Sequence, residues 1–143
     1  MSVGKILATK GKAVVTAAAT QTLHDASRLL SEHRIGAVVV TGAGGTVAGI
    51  LSERDIVKAI GKGGAAALDD KIGEHMTRKV VTCVAASPMN SVMEMMTEGK
   101  FRHVPVLLDG RLDGMISIGD VVKHRLAELE HESRSLRDYI AAS

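Results

Sequence analysis

The sequence predicts an α+β fold: two copies of a β-α-β-β-α unit that pack together, followed by a C-terminal helix. Three observations predict it. An internal repeat runs in fixed order, strand and helix periodicities alternate identically in both copies, and an apolar seam continues past the second copy.

The repeat sets the frame. Val14-Val15-Thr16 returns as Val80-Val81-Thr82, 66 residues later, and the same offset pairs Ala19 with Ala85, Glu32 with Glu98, Val38 with Val104 and Val40 with Val106. After a loop shorter by one residue the offset becomes 65, so that Gly49, Ser52, Asp55, Val57 and Lys58 match Gly114, Ser117, Asp120, Val122 and Lys123.

Each copy opens on its Val-Val-Thr strand. A helix follows, with Leu23, Ala26, Leu29 and Leu30 at helical spacing in the first copy and Met89, Val92, Met95 and Met96 in the second. Ser87-Pro88 reads as the start of the second of these, serine as N-cap and proline at the first helical position. Met93 lies off the stripe and is a candidate interface residue. The β-rich runs Ala37 to Thr41 and Val104 to Leu108 end in Gly42-Ala43-Gly44-Gly45 and Asp109-Gly110, which signal hairpins. A last helix begins just after Ser52 and just after Ser117.

Gly61 to Asp70 is rich in Gly and Ala and reads as a linker, with one helical turn possible over Lys71 to Thr77. The expected division is residues 1–60 for the first copy with its N-terminal segment, 61–77 for the linker, 78–127 for the second copy and 128–143 for a helical extension. A unit of about 50 residues supports a core only marginally, so the copies are expected to share one. From Gly119 onward Val122, Leu126, Leu129, Ser133, Leu136 and Ile140 alternate spacings of four and three, a coiled-coil-like seam that must pack within the chain or against a second subunit.

Composition excludes several function classes. Phe101 and Tyr139 are the only aromatic residues and the net charge is +2, with Lys and Arg interleaved among Asp and Glu. There is no stacking platform or basic run for nucleic acid. Apolar runs such as Ala37 to Val40 are far short of the roughly 20 residues that span a bilayer. A single cysteine, Cys83, forms no intrachain disulfide, and nothing at the N-terminus pairs a basic stretch with an apolar segment of secretory length. The expected setting is cytoplasmic, with no membrane and no nucleic-acid partner. The histidines, at 24, 33, 75, 103, 124 and 131, show no ligand spacing, so no metal site is expected. No nucleophile elbow and no Gly-x-x-x-x-Gly-Lys-Ser/Thr loop is present, which argues against an enzyme.

The closing motif of each copy carries the chemistry. A strand running through Gly49 into Ser52 and then opening a helix aims free backbone N–H groups beyond the strand end, where an anion is favoured. Ser52 adds a hydroxyl, Arg54 a cation, and Asp55 an acceptor suited to two vicinal ribose hydroxyls. Ser117 and Asp120 repeat this, but Gly119 stands where Arg54 does, leaving Lys100, Arg102 or His103 to supply charge. Ser-x-x-Asp before an apolar run is also a capping box worth about 1 kcal/mol without any ligand, and both roles can coexist.

These pieces together resemble the CBS domain pair. The resemblance rests on the Val-Val-Thr strands, on Arg34-Ile35-Gly36-Ala37-Val38-Val39-Val40 against Lys100-Phe101-Arg102-His103-Val104-Pro105-Val106, and on Gly49-Ile50-Leu51-Ser52-Glu53-Arg54-Asp55 against Gly114-Met115-Ile116-Ser117-Ile118-Gly119-Asp120. It covers roughly residues 1 to 130. It implies pseudo-twofold packing of the copies, two clefts between them, and a regulatory adenine-nucleotide ligand, AMP, ATP or NAD, with no catalytic residues or cofactor. Thr16, Ala17, Ile35, Gly36 and Ala37 would then line the first cleft, and Thr82, Cys83, Phe101 and Pro105 the second, although Ala37 and Pro105 read equally well as core. Arg102 and His103 are neighbours on a strand, so at most one is expected to lean into a given cleft from the strand itself. The resemblance further implies a homodimer and a separate protein effector; the alternatives are a purely structural dimerisation module with empty clefts and, behind it, a nucleotide-processing enzyme built on the same clefts.

Overall fold

The computed structural model describes residues 1–142. It contains two three-stranded sheets of identical design. In the first, β1 (Thr16–Ala17) runs parallel to β2 (Ala37–Thr41), which pairs antiparallel with β3 (Val47–Ser52). In the second, β4 (Cys83–Val84), β5 (His103–Leu108) and β6 (Arg111–Ser117) repeat that order. Both hairpins carry a register shift at the same place, between Val40 and Thr41 and between Val106 and Leu107. The repeat therefore extends to backbone irregularities. The opening strands are shorter than the Val-Val-Thr signal and begin two and three residues into it.

Helices α2 (Leu23–His33) and α5 (Met89–Gly99) bury the predicted stripes on Leu23, Ala26 and Leu30 and on Met89, Val92 and Met96. Thr22 and Asp25 form a reciprocal capping box for α2. Helix α5 has no such cap. The Ser87 hydroxyl instead accepts from the Val84 N–H at 3.1 Å, closing the preceding turn, and Pro88 occupies the N-cap position. Met93, expected off the stripe, packs half-buried against the second core, because the broad face of α5 reaches beyond the strict stripe. The Asp109-Gly110 turn has φ of 53° and 78°, the left-handed pair a two-residue hairpin demands.

Helices α3 (Glu53–Gly63) and α6 (Ile118–Ala142) begin where the sequence places them. The expected linker is ordered: α3 runs to Gly63, and a 3-10 turn over Gly64–Asp69 buries Ala67 in the first core.

The copies do not share one core. Leu23, Val38, Leu51 and Ile56 anchor one buried cluster, Met89, Val104, Ile116 and Val121 another. Each cluster is completed by a segment that lies elsewhere in the chain. Helix α1 (Val3–Lys10), at the N-terminus, buries Val3 and Leu7 in the second cluster, while α4 (Ile72–His75) and Met76, just ahead of the second copy, complete the first. The geometry is reciprocal: the Gly4 N–H donates to Ala85 O (2.8 Å) and the Gly73 N–H to Ala19 O (3.0 Å). A small core that could not close alone is closed by the other half's leading segment.

Candidate functional site

The first turn of α3 is built as a capping box. The Asp55 N–H donates to Ser52 Oγ (3.3 Å), and Asp55 Oδ2 accepts from the Ser52 N–H (2.9 Å) and hydroxyl (3.1 Å). The first turn of α6 repeats it: the Asp120 N–H donates to Ser117 Oγ (3.2 Å), and Asp120 Oδ2 accepts from the Ser117 N–H (2.8 Å) and hydroxyl (3.0 Å). The capping alternative is thus realised in both copies. Fewer free N–H groups point outward than expected, because the Glu53 N–H donates to Gly36 O (2.9 Å) and the Ile118 N–H to Arg102 O (2.8 Å). Those bonds pin each helix start to the strand entry of its own copy.

A cavity of about 200 Å³ opens between the copies. From the first copy it takes Gly36 and Ala37 at the start of β2, Ile50 and Ser52 on β3, and Glu53, Arg54 and Asp55 on α3. From the second come Lys79, Val80 and Val81 ahead of β4, and Lys100, Phe101, Arg102 and His103 ahead of and at the start of β5, with Thr77 on the connection.

The copies therefore contribute jointly to one cleft. Of the residues singled out in the sequence, Gly36, Ala37, Ser52, Arg54, Asp55, Phe101, Arg102 and His103 meet at this cavity. Eight others lie off it. Ala17 is buried in the first core, where Ile35 packs half-buried, and Thr16 is exposed on β1. Cys83 is buried in the second core, Pro105 is buried within β5, and Thr82 is half-buried before β4. Ser117 and Asp120 form the corresponding motif of the second copy. Arg102 and His103 both reach the cavity because only His103 is in the strand; Phe101 and Arg102 precede it and escape its alternation.

Sequence reasoning missed Ile50, Glu53, Thr77, Lys79, Val80 and Val81 as lining residues. Lys79 was within reach of the repeat, since it immediately precedes the matched Val80-Val81-Thr82. Its side chain joins Arg54, Lys100 and Arg102 in a cleft whose carboxylates are Glu53 and Asp55, an excess of positive charge. Burial pushes the His103 imidazole below its ordinary value of 6.5; Glu53 and Asp120 draw it upward, while Lys10 and Arg102 push it further down. His103 also faces the first copy, for a Cβ on Gly36 would lie 3.5 Å from its Cε1.

Away from the cleft, folding brings ligand atoms of Asp70, Glu74 and His75 within 4.8 Å of one another, a grouping that histidine spacing did not reveal. A hydrogen bond of 2.8 Å between His75 Nε2 and Asp70 Oδ2 accounts for the closest approach.

The family model of the CBS domain matches residues 3–62 and 72–127. The chain is 32% identical to the mitochondrial CBS domain-containing protein CBSX3 of Arabidopsis thaliana, over 97% of this chain and 71% of that protein. The crystal structure of CBS-domain containing protein ATU1752 from Agrobacterium tumefaciens is 50% identical, with a TM-score of 0.84 over 87% of this chain and 99% of that one. CBS domain protein PAE2072 from Pyrobaculum aerophilum, solved in complex with AMP, is 25% identical, with a TM-score of 0.80 over 93% of this chain and 99% of that one. With two family matches, two sheets of one design and a cleft between them, the chain belongs to the CBS domain family and carries a tandem pair of its repeats.

Proposed function

We propose that the chain is a regulatory module that binds an adenine nucleotide in the cleft between its copies and passes the occupancy to a partner protein. The observation that carries this reading is the composition of the cavity. Apolar walls from Ile50, Val80, Val81 and Phe101 suit a purine, and Arg54, Lys79, Lys100 and Arg102 suit phosphate. Asp55 Oδ1 takes no hydrogen bond within the capping box and is the acceptor for ribose hydroxyls. The AMP complex of the Pyrobaculum aerophilum protein supports the same ligand class. AMP, ATP and NAD all present the anion that Arg54, Lys79, Lys100 and Arg102 favour.

The Ser52 hydroxyl and N–H both donate to Asp55 Oδ2 within the helix cap, an arrangement that supports a capping and binding role for this pair rather than turnover. Isothermal calorimetry with AMP, ATP, NAD and S-adenosylmethionine tests the proposal. Asp55→Ala is expected to lower nucleotide affinity tenfold or more, since charge-assisted hydrogen bonds contribute about 1.5–3 kcal/mol each. Arg54→Ala should weaken the phosphate-bearing ligands only. Unchanged affinity in Asp55→Ala, or steady hydrolysis of ATP by pure protein, overturns the reading.

Self-association is part of the proposal. On α6, Leu126, Leu129 and Leu136 of the seam are 56%, 45% and 60% exposed, so these positions are not consumed by the chain's own core and are available to a second copy. Light scattering of a chain ending at Lys123 should show a weakened dimer; an unchanged dimer removes α6 from the interface. No helix among the described residues is long and apolar enough to cross a membrane.

A further inference from the structure

The two copies treat equivalent positions differently. In the first, the Ile50 O accepts from the backbone N–H of Thr77 (2.9 Å), and Asp55 enters no ion pair among the described residues. The equivalents are Met115 and Asp120. There, the Lys10 ammonium donates to Met115 O (2.9 Å) and to Asp120 Oδ2 (2.6 Å). Ile50, Ser52 and Asp55 border the open cavity of the first copy. In the second, a lysine of the chain itself is bonded to the counterparts of two of them.

The sequence explains how Lys10 arrives. Val3, Gly4 and Leu7 of α1 correspond to Ile72, Gly73 and Met76, 69 residues later, so the connection onward to the Val-Val-Thr strand is three residues longer in the first copy. That extra length lets α1 continue past Leu7 to Lys10, whereas α4 stops at His75. Gly11, at φ 98°, then ends the helix, and Lys12 pairs with Asp113 at 3.2 Å, tying the exit to β6.

We infer that Lys10 closes the second copy's site, so that each chain offers one nucleotide cleft, that of Asp55. This rests on the nucleotide reading of the first cleft. A vicinal diol arriving at Asp120 meets a carboxylate whose Oδ2 already accepts from Lys10 and from the Ser117 N–H and hydroxyl, and whose charge the ammonium neutralises, so its other oxygen is a poorer acceptor than that of Asp55 for as long as Lys10 stays in place. Lys10 is thereby the residue that makes two sites of one design unequal.

The test is AMP titration by calorimetry of wild type, Lys10→Met and Lys10→Arg, with AMP-induced amide shifts followed by NMR. Wild type and Lys10→Arg are expected to bind one AMP per chain, with shifts at residues 52–55 and none at 117–120. Lys10→Met, which keeps the apolar stem but loses the charge, should bind two, with new shifts at 117–120. If Lys10→Met binds no more AMP than wild type, Lys10 is not the closure, whatever the first site does. Two AMP per chain in wild type, with shifts at 117–120, overturns the inference even if the variant does not fold. Wild type that binds no AMP, with Lys10→Met binding one at 117–120, would overturn the nucleotide reading of the Asp55 cleft while leaving the closure by Lys10 standing.

Discussion

Leu7 lies directly on Gly114: a Cβ on the glycine would stand 2.9 Å from Leu7 Cδ1. The same relationship joins Met76 to Gly49, where the added Cβ would meet Met76 Sδ at 2.7 Å and also the Thr77 carbonyl at 2.8 Å. The repeated glycine is required on β3 and β6 because the leading helix of the other half packs flat on the strand at that point. The two sites differ in what can yield. Gly114→Ala pushes the end of a leucine, whereas Gly49→Ala also meets backbone. Both substitutions are expected to destabilise, by about 1–3 kcal/mol as overpacking does, with Gly49→Ala the worse. Urea denaturation of the two variants checks the order.

Truncating Leu7 should uncouple the halves. Leu7→Ala removes a side chain that is 1% exposed, a change that costs about 2–5 kcal/mol. Hydrogen exchange should accelerate in β5 and β6 well before β2 and β3. Equal acceleration in both sheets would show that the two cores melt as one.

Burial pushes the Cys83 thiol up to about 11, so little thiolate exists at neutral pH. The native protein is expected to react with a thiol reagent at pH 7.5 many times more slowly than the protein in denaturant. A rate equal to that of the unfolded chain would place Cys83 at the surface.

His103 gives the cleft a pH dependence of definite sign. Its imidazole titrates below the ordinary value when folded, so the unfolded chain takes up the proton first. The contribution of His103 to stability is therefore full above about pH 6.5 and is lost as pH falls through the lower folded value. A phosphate in the cleft favours the imidazolium, so AMP should bind with proton uptake and more tightly at pH 6 than at pH 8. Calorimetry in two buffers of different ionisation enthalpy measures this; His103→Gln should abolish the uptake.

Asp120 titrates in the same sense for a different reason. Burial alone pushes its carboxyl up, but the hydrogen bond and charge of Lys10, with the bonds from Ser117, more than offset this and hold it below the ordinary 3.8. Its stabilising contribution is present above that value and disappears as pH falls through the folded one. In a carbon-13 NMR titration, Lys10→Met should raise the Asp120 midpoint relative to wild type.

Much of the fold was legible because apolar spacing reports burial directly. The stripes on α2 and α5, the β2–β3 and β5–β6 hairpins and the starts of α3 and α6 all follow from it. The docking of α1 and α4 was not read, although Val3-Gly4 and Ile72-Gly73 carry a signal for it. That signal is short and sits at a different offset from the rest of the repeat. The Ser52 and Asp55 cap was legible as local hydrogen bonding, but local pattern cannot say which strand entry faces which helix start. Assigning cleft residues copy by copy therefore put Phe101 and His103 in a different cleft from Ala37 and Asp55, and the structure places all four around one cavity. Lys10 was invisible for the same reason, since its partner Asp120 is 110 residues away.

That separation has a consequence for synthesis. Chains emerge N-terminus first, and domains generally fold as they appear. Here Val3 and Leu7 are made well before the strand they cover, β6. While the first sheet assembles and receives α4, α1 must wait, its apolar face uncovered, until more than a hundred further residues have been added. Closing so long a loop costs little at equilibrium but delays the final step. The docking of α1 is therefore expected to come late in the folding of this pair of copies, and the interval before it is one in which the nascent chain needs protection from aggregation.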